Sequence, residues 1–195
     1  MNDSQHGVAR HPMLLVRHGA TAPNVAGLRC GGDLDVPLTE LGRRQAAEAA
    51  RRVANLDWTI GLIVASPLQR TQESAAIISH VLGGVEVLTE AAFSERRLGT
   101  WNLRSVAETE AELVAGVTPP GGESTSEFFD RIERAARSLL LPRLEQRPLL
   151  VGSKGVARAF RELLGISCAN GFANGELLQL DLAPLMRRDT IGCHA

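Results

Sequence analysis

The sequence MLLVRHG, at residues 13–19, places four apolar residues directly before an arginine, a histidine and a glycine. A short apolar run of this kind predicts a buried β-strand, so Arg17 and His18 stand where that strand ends. In open α/β sheets, ligands bind in the crevice outside the carboxyl ends of the strands, and Gly19 would let the backbone approach a ligand closely. The stretch therefore predicts an α/β fold with a site for an anionic substrate, containing a nucleophile or an acid–base group.

Beyond this stretch, strand-like apolar runs alternate with helical patterns along most of the chain. Capping boxes that begin at Ser66 and Ser124, each with Gln or Glu three residues later, predict two helix starts. This alternation predicts a three-layer α/β sandwich, in which a mostly parallel sheet carries helices on both faces. The predicted strands are residues 13–16, 60–65, 85–88, 149–151 and 177–182, and the predicted helices are residues 39–56, 66–82, 108–115, 124–139 and 156–164.

The length and composition indicate one globular domain. A chain of 195 residues is large enough to bury a core without disulfides or metals, and 44% hydrophobic with 22% charged residues is ordinary for a soluble protein. The sequence has no internal repeat and no low-complexity linker. We expect a single domain at residues 13–185, between a loose N-terminal tail (1–12) and a C-terminal tail (186–195).

Charge, aromatic content and cysteine usage exclude several classes of function. A net charge of -1 gives no basis for binding nucleic acid or an anionic membrane, and a chain without tyrosine is poorly suited to stacking on single-stranded bases. No apolar run approaches membrane-spanning length. The odd number of cysteines (Cys30, Cys168 and Cys193), with no C-x-x-C spacing, indicates a reducing cytoplasm rather than a disulfide scaffold or a zinc site. Any anion site must therefore be a local cluster of cations.

Three polar clusters follow the first three predicted strands. The first is Arg17-His18-Gly19, the second is SPLQRT at residues 66–71, and the third is FSERRLGTW at residues 93–101, which contains Glu95. This ordered set resembles the histidine phosphatase superfamily, the phosphoglycerate mutase-like enzymes, and implies their fold. The resemblance covers about residues 14–182 and includes Thr21, Asn24 and the segments at residues 35–42, 45–46, 121–124 and 151–158.

The residue types also fit phosphoryl transfer on their own chemistry. A phosphoryl group in transfer spreads negative charge over its equatorial oxygens, and Arg17 and Arg70 can offer planar, bidentate donors to those oxygens. Arg70 also falls in the first turn of its predicted helix, where backbone N–H groups and the helix dipole favour an anion. The resemblance implies that His18 attacks phosphorus to form a phosphohistidine, and that Glu95 protonates the leaving oxygen and then activates water. This scheme requires no metal and no cofactor.

Several neighbouring residues allow more than one role. Glu90 and Glu123 are alternatives to Glu95 as the general acid. Thr21 and Asn24 either line the phosphate pocket or cap the loop that follows the first strand.

The segment VGSKGVAR at residues 151–158 departs from the family pattern. The family carries a second histidine in a Val-x-His-Gly-like segment, and aligning Val151 and Arg158 puts Ser153 at the histidine position. Ser153 could donate one hydrogen bond to a phosphate oxygen, Lys154 could supply a positive charge, and backbone N–H groups of the next helix could add an anion nest. The alternative is that the site has lost catalysis and the fold only binds a phosphorylated ligand.

These observations give three functional hypotheses. The leading one is a cytoplasmic phosphomonoesterase that hydrolyses a small phosphorylated metabolite through phosphohistidine. A mutase would return the phosphoryl group to a bound product, but only 26 residues separate Glu95 from Gly122. That segment is too short for the long, substrate-enclosing insertion that resemblance to mutases would imply. The third hypothesis, a non-catalytic phosphate-binding or regulatory protein, follows from Ser153.

Overall fold

A computed structural model describes residues 11–167 and 171–187 of the chain. Most of the two predicted tails, together with Cys168 and Cys193, lies outside the described residues. In chain order the elements are β1 (Pro12–Arg17), α1 (Ala22–Val25), α2 (Glu40–Ala54), β2 (Leu62–Ala65), α3 (Gln69–Val81), β3 (Val87–Thr89), α4 (Val106–Val114), α5 (Thr125–Ala135), β4 (Pro148–Gly152), α6 (Lys154–Leu164), β5 (Leu177–Asp181) and α7 (Ala183–Arg187).

The five strands form one sheet in the order β3-β2-β4-β1-β5. The strand β1 runs parallel to β4, with Leu14 opposite Leu149, and β2 runs parallel to both β3 and β4. The edge strand β5 runs antiparallel to β1, with Gln179 opposite Leu14. The prediction of a mostly parallel sheet is confirmed, and the carboxyl ends of β1, β2 and β4 meet at one edge.

Helices cover both faces of this sheet. Alternate residues of a strand point to opposite faces, so Met13 and Leu15 pack with α5 and α6, while Leu14 and Val16 pack with α2 and α3. Because β1, β2 and β4 are buried on both faces, their sequences are nearly continuous apolar runs. The predicted three-layer α/β sandwich is confirmed.

The two predicted capping boxes have different outcomes. The box at Ser124 is present, because Ser124 Oγ accepts the N–H of Glu127 and the Glu127 carboxylate accepts the N–H of Ser124. The start predicted at Ser66 is wrong, because α3 begins at Gln69 and its N-cap, Leu68, makes no side-chain cap. The Ser66 hydroxyl instead lies 2.7 Å from the hydroxyl of Thr71, in a buried turn between β2 and α3.

Candidate active site

The loop after β1 is fixed at the carboxyl edge of the sheet by three neighbouring elements. The His18 N–H donates to Gly152 O at the end of β4, at 2.9 Å, and the Gly19 N–H donates to Ser74 Oγ of α3, at 3.1 Å. A Cβ on Gly19 would lie only 2.0 Å from Gly42 O in the first turn of α2. A glycine is therefore required at position 19, and its close approach to α2 sets the position of His18.

The buried imidazole of His18 is neutral and has a free nucleophilic nitrogen. Its Nδ1 lies 2.7 Å from Gly19 O, which assigns the ring proton to Nδ1 and leaves the lone pair on Nε2. Burial is the largest cause that lowers the pKa of His18 from 6.5 to about 3, and the positive charges of Arg70 and Arg17 contribute to the same decrease. A neutral imidazole is the form that can attack phosphorus.

Two arginines beside His18 each retain an unused donor. The side chain of Arg70 is fully buried and donates to Leu34 O and Gly31 O, yet its Nε has no partner. Arg17 donates through Nη1 to Phe172 O, and its Nε is also buried without a partner. In the described residues the only other such side-chain atom is the indole nitrogen of Trp58, before β2. Because an unpaired buried N–H costs about 1–3 kcal/mol, two of them next to one imidazole indicate an anion site.

The carboxylate of Glu95 reaches the same edge of the sheet. Its Oε2 accepts the N–H of Gly155 in the first turn of α6, at 2.9 Å, and its Oε1 accepts the N–H of Arg96, at 2.7 Å. The charge of Glu95 also acts on Arg17, so the two side chains are electrostatic neighbours. The structure thus places Glu95 near Arg17, whose charge, with that of Arg70, acts on His18.

The two rival carboxylates are engaged in structural contacts. Glu90 caps the 3-10 turn Ala91–Phe93, where its Oε1 accepts the Ala92 N–H at 2.8 Å. Glu123 is buried and forms a bidentate ion pair with Arg131, with N···O distances of 2.7 and 2.9 Å. Of the three carboxylates, Glu95 is the one placed beside the unpaired arginine donors.

Ser153 and Lys154 occupy different environments although they are adjacent in sequence. Ser153 is buried at the N-cap of α6, where its Oγ accepts the Val156 N–H at 3.4 Å. Its own O–H proton remains available for a donor bond. Lys154 is exposed and has no ion-pair or hydrogen-bond partner within residues 11–167 and 171–187. A phosphate contact by either residue stays a prediction.

Thr21 and Asn24 form a capping box at the start of α1. Each side chain accepts the backbone N–H of the other residue, at 3.2 and 3.4 Å. Asn24 Oδ1 also accepts a bond from Asn174 Nδ2, at 3.3 Å. The structure therefore shows the loop-capping role for both residues, while a contact with substrate stays a prediction.

Asn174 and Gly155 contact the site but were missed by the sequence analysis. Asn174 Nδ2 donates to His18 O at 2.9 Å, across 156 positions of sequence. No local pattern marks that contact. Gly155 did carry a signal, because a glycine at the start of a helix indicates a close approach of another group. The predicted helix begins at residue 156, whereas α6 begins at Lys154, so Gly155 lies outside the predicted helix.

The described part of the chain offers no metal centre and no membrane span. Across residues 11–167 and 171–187, no three His, Cys, Asp or Glu side chains cluster closely enough to hold a metal ion. None of the helices in those ranges is long and apolar enough to cross a membrane.

Comparison with protein families shows to which superfamily the chain belongs. The model of the histidine phosphatase superfamily (branch 1) matches residues 13–182. This chain belongs to that superfamily. The match runs from β1, which ends at the Arg17-His18 pair, to the residue after β5.

Relatives within the histidine phosphatase superfamily include proteins named as mutases and as phosphatases. A probable phosphoglycerate mutase GpmB of Proteus mirabilis is 39% identical over 73% of this chain and 69% of its own length. A phosphoglycerate mutase-like protein 4 of Arabidopsis thaliana is 31% identical, over 77% of this chain and 69% of its own length. A solved structure of a mycobacterial glucosyl-3-phosphoglycerate phosphatase in complex with VO3 is 28% identical, with a TM-score of 0.74, covering 87% of this chain and 90% of that one. Phosphatase- or mutase-type phosphoryl chemistry is what these relatives share.

Proposed function

We propose that this superfamily member is a phosphomonoesterase that hydrolyses a small phosphorylated metabolite through a phosphohistidine on His18. The observation that carries the proposal is the pair of buried, unpartnered Nε atoms of Arg17 and Arg70 beside a neutral imidazole. A phosphate group bound between the two arginines would supply acceptors for both donors. Charge-assisted bonds of this kind are about twice as strong as neutral ones.

In the first half-reaction, the Nε2 lone pair of His18 forms the N–P bond as the P–O bond to the leaving group breaks. Glu95, in its protonated form, transfers its proton to the leaving oxygen. Arg17 and Arg70 donate to the equatorial oxygens, over which the charge is spread in the transition state. The imidazole gains positive charge as the N–P bond forms, and Gly19 O, which accepts the Nδ1–H bond, faces that charge.

In the second half-reaction, water attacks the phosphorus while the Glu95 carboxylate accepts one of its protons. The N–P bond breaks, its electron pair returns to Nε2, and inorganic phosphate leaves. His18 is thereby neutral at both ends of the cycle, in keeping with its low pKa. We assign Ser153 as a neutral O–H donor to the phosphoryl oxygens, and Lys154 as a positive charge at the solvent-exposed rim of the phosphate pocket. Thr21 and Asn24 would hold the loop that carries His18 and line the pocket.

Phosphoglycerate mutase-like transfer is the second candidate, and the names of the curated relatives favour it. The short segment between Glu95 and Gly122 argues for hydrolysis instead. It folds back on itself, with Thr100 N–H donating to Pro120 O and Glu123 N–H donating to Arg97 O, both at 3.0 Å. A site without a long enclosing insertion leaves the phosphohistidine open to water.

We further propose a cytoplasmic location, supported by the odd cysteine count and by the free thiol of Cys30.

A phosphatase assay over a panel of small phosphomonoesters tests the proposal. We expect phosphate release by the wild type that persists in EDTA, and at least a 10³-fold loss in His18→Ala, because the nucleophile is removed. An acid-labile phosphoenzyme, formed with a radiolabelled substrate, should be absent from His18→Ala. Activity in the variant equal to wild type would exclude the phosphohistidine mechanism. Phosphoryl transfer that requires a bisphosphate cofactor would favour the mutase. Phosphate binding without turnover would favour the hypothesis of a non-catalytic phosphate-binding protein.

A further inference from the structure

The first turn of α6 holds the carboxylate of Glu95 at unusually close range. Gly155 N–H donates to Oε2 at 2.9 Å, and a Cβ built on Gly155 would lie 2.0 Å from Oε1 and 2.8 Å from the carboxyl carbon. With the Glu95 carboxylate in its observed position, no side chain larger than hydrogen fits between it and α6. The backbone conformation does not explain the glycine, because Gly155 has no positive φ angle. Glycine is also a poor helix former, so its presence inside α6 has a spatial reason.

We infer that Gly155 is a positioning residue for Glu95, the proposed proton donor, and this inference rests on the proposed function. Two N–H donors fix the two carboxylate oxygens, one from Gly155 and one from Arg96. Each oxygen keeps a second lone pair, which can carry the proton to be transferred. The positive end of the α6 dipole also stabilises the carboxylate that remains once the proton has left.

The segment that carries Glu95 is held from its other side as well. Arg131 Nη2 donates to Glu95 O at 3.0 Å, and a Cβ on Gly32 would lie 2.1 Å from the same oxygen. Because the backbone of Glu95 is fixed in this way, the whole residue cannot shift away from a side chain at position 155. It must rotate away from α6 instead. An alanine at this position therefore displaces the proton donor while leaving Arg17, Arg70 and His18 in place.

The dependence of rate on leaving group separates this role from a merely structural one. An alkyl phosphate needs a proton on its leaving oxygen, whereas p-nitrophenolate leaves without one. General acid catalysis typically contributes 10²–10⁴-fold. We expect Gly155→Ala to lower kcat/KM, which reports the first half-reaction, by about 10²-fold on glycerol phosphate and by less than about 5-fold on p-nitrophenyl phosphate. Glu95→Gln should show the same split, and adding Gly155→Ala to it should cause no further loss.

Gly61→Ala is the matched control. Gly61 precedes β2, at the opposite edge of the sheet from the site, and a Cβ there would also be crowded, 2.7 Å from Gln146 O. This variant should lose stability but keep the wild-type ratio of kcat/KM on glycerol phosphate to kcat/KM on p-nitrophenyl phosphate. An equal loss on both substrates in Gly155→Ala, or additive losses in the double variant, would overturn the inference.

A double-mutant cycle measured by thermal unfolding tests the contact between Gly155 and Glu95, even if the wild type is inactive. Gly155→Ala should lower Tm, and Glu95→Ala should restore part of that loss because it removes the crowded carboxylate. Additive Tm changes would show that Gly155 does not position Glu95. If the wild type is inactive on every substrate and the Tm changes of the two variants are not additive, the proposed function is refuted. The contact between Gly155 and Glu95 is then still supported.

Discussion

His18 shows how the fold prepares a single residue before any substrate binds. Burial is the largest cause of its lowered pKa, and Arg70 and Arg17 add positive charges that oppose protonation. The same arginines are the donors proposed to bind phosphate. One arrangement of charge thus keeps the nucleophile unprotonated and attracts the group that it attacks.

The lowered pKa of His18 predicts how stability depends on pH. Between pH 6.5 and about 3 the unfolded chain protonates this imidazole and the folded protein does not, so acid favours unfolding. Above pH 6.5 both states are neutral at this residue and the contribution is constant. We expect the free energy of unfolding to fall by about 1 kcal/mol per pH unit below pH 6 from His18 alone.

Thermal unfolding of wild type and His18→Gln over pH 4–8 measures this contribution. The variant should lose less stability than the wild type on acidification, while both respond alike above pH 7. Parallel curves over the whole range would show that His18 has the same pKa in the folded and unfolded states.

At the scale of elements, α6 shows how one helix start can serve several groups. Ser153 caps the helix through Val156 N–H, and Gly155 N–H binds Glu95. In the described residues, these two contacts pair two backbone N–H groups of the first turn of α6 with side-chain oxygens. A histidine at position 153 would therefore change both the capping of α6 and the donors available to a ligand.

Ser153→His is expected to raise kcat/KM on simple phosphomonoesters by about 10²-fold, because it adds a donor that can carry positive charge to the transition state. It should also lower stability by about 1 kcal/mol, because the N-cap oxygen is lost. Ser153→Ala separates the two effects, since it should lower stability by a similar amount without any gain in activity. A lower rate in Ser153→His than in Ser153→Ala would mean that the pocket is built for a different ligand.

The helix starts also show which local features could be predicted from the sequence. The capping box at Ser124 was predicted and found, because both of its partners lie within four residues of sequence. At Ser66 the same pattern failed, because the serine lies in a buried turn beside Thr71, where the two hydroxyls approach each other. The contact between Ser66 and Thr71 is itself local, since the two residues lie 5 positions apart, but the capping-box spacing does not reveal it.

At the scale of the whole molecule, the layers and the nucleophile loop were predictable while the cross-chain contacts were not. Apolar runs buried on both faces, alternating with amphipathic helices, specified the parallel sheet and placed His18 at its carboxyl edge. The contact between Asn174 and His18 O depends on the antiparallel return of β5 and has no local signature. The same holds for Arg131, which joins α5 to the backbone of Glu95.

The folded site should be linked to phosphate through the stability of the whole protein. A ligand that binds only the folded state stabilises it by about 2.7 kcal/mol at 100 times its Kd, which corresponds to roughly 5–10 °C in Tm for a domain of this size. We expect inorganic phosphate to raise the Tm of the wild type. Arg70→Met, which retains bulk but removes the unpaired Nε donor, should lose most of that rise.

Two further variants complete this measurement by thermal unfolding. His18→Ala should keep most of the phosphate-dependent rise, because the imidazole is a nucleophile in this scheme and the arginines bind the anion. Arg52→Ala, at an exposed ion pair with Glu48 on α2, should behave as wild type. A phosphate response that survives in Arg70→Met would place the anion elsewhere on the protein. The absence of any response in the wild type would show that the two unpaired arginine donors do not form a phosphate site, since RT ln(1 + [L]/Kd) must then be near zero at every concentration tested.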